Sequence, residues 1–178
     1  MIKTRLITFL IFAGLFSASL QLGSLIPVDE KDAREILFEF LNTVEEIDAI
    51  GFFVNNASLS LPMFIPGAGL IWGFYSGAST GLAYGAIASL TPELFDIPAV
   101  SILYGTTFGL MELIAYSIAT SRSYLLIYGM IKRSNLKSQM IPLMIEIGIV
   151  VVLLFVGGML EFEMIDEARQ AVPSIEDL

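Results

Sequence analysis

The sequence contains no cysteine and no histidine among its 178 residues. Those two absences remove disulfides, thiolate nucleophiles, Ser-His and Cys-His catalysis, and the usual ligands of zinc, copper and haem. Only carboxylates and hydroxyls are left to do chemistry, so neither a metal nor another cofactor is expected. Positive charge is scarce too: nine Lys and Arg face eighteen Asp and Glu, a net charge of −9 with a pI near 4.3. Phosphate binding needs clustered Lys and Arg, which argues against a nucleic-acid partner. No phosphate loop, metalloprotease helix or nucleophile elbow occurs, and the chain is not expected to be an enzyme.

Apolar residues are what the chain has in excess. They make up 56% of it, against 15% charged, with a mean hydropathy of +0.79. A water-soluble fold of this length could not hide that much apolar surface. The uncharged runs are long enough, at 1.5 Å per helical residue, to cross a hydrocarbon core of roughly 30 Å. The pattern predicts an all-α protein, a polytopic integral membrane helix bundle of about five transmembrane helices plus one external amphipathic helix.

Residues 1–26 form the first transmembrane helix: Lys3 and Arg5 precede an apolar run from Leu6 to Leu25. Its length suits a signal anchor, while Ser17, Ala18 and Ser19 keep a cleavable signal peptide as the alternative. Residues 27–48 read as an external acidic amphipathic helix. Ile36, Leu37, Phe40, Leu41, Val44 and Ile47 recur at helical spacing between Asp32, Arg34, Glu35, Glu39, Glu45 and Glu46. That helix either packs on its own bundle with a solvated face or offers a surface to a partner.

Residues 49–160 form a four-helix transmembrane core, and 161–178 an acidic external tail. Within the core, Ala49 to Ile65 stops at the Pro66-Gly67 turn, Ala68 to Leu90 carries no charge, and Pro98 to Thr120 carries only Glu112. Arg122, Lys132, Arg133 and Lys137 mark a basic loop before the last span, Met140 to Leu160. The positive-inside rule then predicts a multi-pass protein of the cell membrane with its N-terminus cytoplasmic and its C-terminus outside.

Polar and small residues inside the spans are the candidate site. Gly69, Gly73, Gly77, Gly81 and Gly85 repeat every fourth residue, a GxxxG ridge that lets another backbone approach. The approaching helix belongs either to this bundle or to a second copy or another subunit. An ionised Glu112 in mid-span would cost on the order of 3 kcal/mol, so it should be protonated, hydrogen-bonded or water-facing. Asn55 and Asn56 could satisfy it, with Thr106, Thr107, Ser79 and Thr80 adding hydroxyls. It serves either as a buried clamp fixing helix register or as a station on an ion or proton path. Glu146 is explained by snorkelling or by pairing with Lys137. With no second carboxylate or histidine placed beside Glu112, an intramembrane hydrolase is disfavoured.

Several landmarks together resemble the stage II sporulation protein M family, from about Ile50 to Asp166. Phe52-Phe53-Val54-Asn55-Asn56 is similar to the family's aromatic-apolar segment ending in Asn, and Gly69 to Gly85 to its glycine-rich span. Phe108-Gly109-Leu110-Met111-Glu112 resembles its His-Gly-x-x-Glu, with Phe108 in place of the histidine. Met159-Leu160-Glu161 resembles its last helix, and Thr80-Gly81 stands where the family has Asn-Gly. The resemblance implies helix-contact roles for Asn56, Gly81, Gly109, Glu112 and Glu161. It also implies a membrane complex that anchors peptidoglycan-degrading partners in sporulating bacteria. The function expected is a non-enzymatic scaffold or accessory subunit, with the lipid bilayer and other membrane subunits, or a homo-oligomer, as partners. The alternative is a small transporter or channel with Glu112 in the path.

Overall fold

The computed structural model describes residues 2–134 and 137–171, and the regular structure among them is all helical, with no strand. Seven helices follow one another: α1 (Ile2–Ser24), α2 (Glu30–Glu46), α3 (Ala49–Ser60), α4 (Ala68–Leu90), α5 (Ser101–Tyr104), α6 (Thr107–Ile131) and α7 (Lys137–Ala171). Short 3-10 turns at Leu61–Phe64 and Pro92–Leu94 prolong α3 and follow α4.

The helix ends have local causes. The Asp48 carboxylate accepts from the Gly51 amide and caps α3. Pro66-Gly67 turns the chain because Gly67 takes φ +77°, a left-handed value that a side chain would strain. The Ser123 hydroxyl holds this turn, accepting from the Gly67 amide at 3.0 Å and donating to the Ile65 carbonyl at 2.6 Å. Thr106 caps α6 by accepting from the Gly109 amide.

That cap corrects one boundary. The span expected from Pro98 to Thr120 is broken at Gly105-Thr106 into a single turn, α5, and a long helix that continues through Arg122 to Ile131. Arg122 therefore lies inside α6 and not in a basic loop. The last helix is longer than expected as well: α7 carries Glu161 on a continuous helix to Ala171, so the expected tail begins inside it, and residues 172–178 lie outside the described ones.

Helix directions follow from the contacts. Phe16, Leu20 and Ser24 of α1 meet Gly77, Gly81 and Gly85 of α4 in rising order, so these helices run parallel. Phe53 rings edge-on against Phe155, with Gly158 beneath Phe52 and Phe53, which sets α7 along α3. Arg122 meets Glu146 near one end of the α6–α7 seam, and Phe108 and Met111 meet Gly157 near the other, so α6 and α7 are antiparallel.

Around an apolar core, small polar residues are buried while many large apolar ones are exposed. Ser60, Ser117, Thr120, Ser121, Arg122 and Ser123 are buried, while Leu10, Leu22, Ile71, Ile131, Ile141 and Val152 are exposed. Two helices, Lys3–Ser24 and Lys137–Glu167, are long and apolar enough to cross a membrane. Only 28% and 22% of their most apolar stretches are buried, unlike the core helix of a soluble protein. The expected count of about five is not reached on length and composition. The segment Ala49–Phe64 is shorter, and α4 and α6, though 23 and 25 residues long, are diluted by Gly, Ser, Thr and Tyr, and α6 also by Glu112 and Arg122.

Candidate functional site

The α6–α7 seam carries two polar clusters, each completed by a third helix. The first gathers Asn56 from α3, Glu112 from α6 and Glu161 from α7. Asn56 lies on the buried stripe Phe52, Asn56, Ser60 of α3, whose four-residue spacing keeps it facing inward. Its Nδ2 donates to Glu112 Oε1 at 2.5 Å, and the same amide is a side-chain partner of Glu161. Glu161 lies within electrostatic reach of Glu112, and Tyr116, one turn along α6, is within reach of both. Asn55 donates to Asn56 Oδ1 at 3.3 Å, which turns the N–H side of the Asn56 amide toward the carboxyl groups.

The arrangement corrects the view of Glu112 as a lone carboxylate: a second one stands beside it, supplied by a residue that the sequence placed at the head of the tail. One oxygen of that second group, Glu161 Oε2, is shielded from solvent and has no hydrogen-bond partner. The hydroxyls expected in this network are elsewhere. Ser79, Thr80 and Thr107 are exposed, and Thr106 serves as the α6 cap. Among the described residues, no group of three or more acidic side chains is placed to hold a metal ion.

The second cluster ties α1 to the other end of the seam. Glu146 Oε1 accepts from Arg5 Nε at 2.6 Å and Arg122 Nη2 at 2.5 Å, while its Oε2 accepts from Arg122 Nε at 2.6 Å. The remaining guanidinium nitrogens are engaged as well. Arg5 reaches Ser121 Oγ at 2.6 Å and the Ile118 carbonyl at 3.1 Å, and Arg122 reaches Gln139 Oε1 at 3.1 Å. Arg122 is only 4% exposed, which a guanidinium tolerates because both Glu146 oxygens face it. Glu146 is therefore a part-buried ion-pair partner of Arg5 and Arg122, and the expected explanation through Lys137 or snorkelling is replaced. The signal that could have revealed it is charge balance: Glu146 and Arg122 both interrupt apolar runs, and each offsets the other.

The glycine ridge packs inside the bundle. A Cβ at Gly81 would overlap the Leu20 carbonyl, one at Gly85 the Ser24 carbonyl, and one at Gly69 the Met63 carbonyl. Gly73 faces the Thr120 methyl, and Gly77 has the most room, with Phe16 3.4 Å from a built Cβ. Gly23 answers from α1 by lying against the Ala78 carbonyl. Gly109 has the Ile102 carbonyl against it, so the α5–α6 corner also depends on a bare backbone. Comparison of the chain with protein-family models, curated proteins and solved structures gives no match.

Proposed function

We propose that the chain is a membrane-embedded helix bundle that acts without enzymatic activity as a scaffold or accessory subunit of a larger membrane complex. The observation that carries this reading is the apolar surface: bare Leu, Ile and Val outside, with serines, a threonine and Arg122 buried beside the apolar core. In this reading α1, α3 with its 3-10 extension, α4, α6 and α7 make five passes of alternating direction. The Arg5–Arg122–Glu146 cluster then lies toward the cytoplasm, and α2 lies outside. On α2, Phe38 and Leu41 stand three residues apart on one exposed flank of an acidic helix, with Phe40 also exposed. That surface suits a membrane subunit with an apolar groove and a basic rim. The resemblance to the stage II sporulation protein M family supports the same role through Asn56, Gly81, Gly109, Glu112 and Glu161. A photo-crosslinking residue placed at Phe38 in native membranes should capture one defined protein. Adducts to lipid alone would contradict the scaffold.

A small transporter or channel is the second reading, favoured by the carboxylate pair in the seam. The two surface cavities that border α2 and the α1–α4 end do not include Glu112. Ion or proton flux in liposomes, present for the native chain and absent for Glu112→Gln, would favour that reading over the scaffold.

A further inference from the structure

We propose that Asn56, Glu112 and Glu161 form a binding site for one proton, held between the two carboxyl groups and bridged by the amide. Two carboxylates within electrostatic reach of each other in a part-buried seam repel. Some positive charge must join them. Among the described residues none is supplied here: the groups acting on Glu112 are Glu161 and Asn56, with Tyr116 alongside, while Arg5 and Arg122 are occupied by Glu146 at the far end of the seam. Asn56 is neutral, so it can bridge the pair without offsetting its charge.

One atom points to the missing species. Glu161 Oε2 is enclosed and has no donor. An enclosed, unbonded oxygen is destabilising. A proton on one carboxyl group supplies the donor, cancels one of the two charges and forms an O–H···O⁻ hydrogen bond of the short, charge-assisted kind. A divalent cation fits less well. It needs six or more oxygens, whereas Asn56 turns its carbonyl to Asn55 and its N–H groups to the carboxyls.

The test is infrared spectroscopy of the intact chain in lipid nanodiscs at neutral pH, in water and in heavy water. The native chain should show the carbonyl stretch of a protonated carboxyl group, moving to lower frequency on deuteration. Glu163→Gln, at an exposed position of α7, should keep it. Glu112→Gln and Glu161→Gln should each shift or remove it, and the double variant should lack it. No such band in the native chain, or an unchanged band in both single variants, would overturn the proposal. So would a band that appears only when sodium is replaced by choline, because a metal cation would then occupy the site. The single variants keep the test decisive if the double variant does not fold.

Discussion

The two ends of the α6–α7 seam use the same helices and differ in what a third helix brings. At one end α1 contributes Arg5, and both oxygens of Glu146 are saturated by guanidinium groups. At the other end α3 contributes Asn56, which donates hydrogen bonds but no charge, and Glu161 Oε2 stays unbonded. A closed cluster of this kind fixes helix positions, whereas an open one retains capacity for a ligand. The first cluster is the fastening of the bundle, and the second is its candidate site.

Substitutions can break or sharpen this contrast. The largest effect should come from Glu146→Leu, which leaves two guanidiniums without their acceptor. A loss of about 3–5 kcal/mol is expected, read as lowered unfolding stability in detergent. Gly81→Leu follows at about 1–3 kcal/mol or more, because the side chain meets the backbone of α1 and no rotamer avoids it. The same substitution at Gly77, where the neighbour is chiefly the Phe16 ring, should cost less, and thermal unfolding of the pair measures the difference. Glu112→Leu should cost about 1–3 kcal/mol by stranding the Asn56 amide, while Glu112→Gln keeps the shape and should stay within about 1 kcal/mol. If Glu112→Leu proved more damaging than Glu146→Leu, the assignment of fastening and site would be reversed. The smallest effect belongs to Gly14→Leu: nothing lies within 4 Å of its built Cβ, so stability should be unchanged.

Much of the bundle is legible in the sequence because its signals are strong and local. Pro66-Gly67 reads as a turn since only glycine adopts the left-handed conformation there cheaply, and the Gly69 to Gly85 register reads as a close approach of backbones. The pairing of Asn56 with Glu112 is legible by elimination, because few polar groups sit in the apolar runs. The break at Gly105 is not, since a Thr cap inside an apolar stretch leaves hydropathy unchanged. Arg122 misleads in the opposite sense. An arginine lowers the apolar average and looks like a span end, yet its charge is offset by Glu146, which lies 24 residues farther along the chain. Glu161 is named only through the family resemblance, because it heads an acidic run that reads as a tail, and only the continuation of α7 carries it alongside Glu112.

In the proposed reading the bundle is embedded with its two polar clusters toward opposite faces of the membrane, and the absence of native cysteine allows this to be tested directly. Ser134 and Glu167 are both exposed, in the α6–α7 connection and near the far end of α7. Ser134→Cys and Glu167→Cys should be labelled by an impermeant maleimide from opposite sides of sealed cells, Ser134→Cys only from the cytoplasm and Glu167→Cys only from outside. Labelling of both from one side would contradict the account.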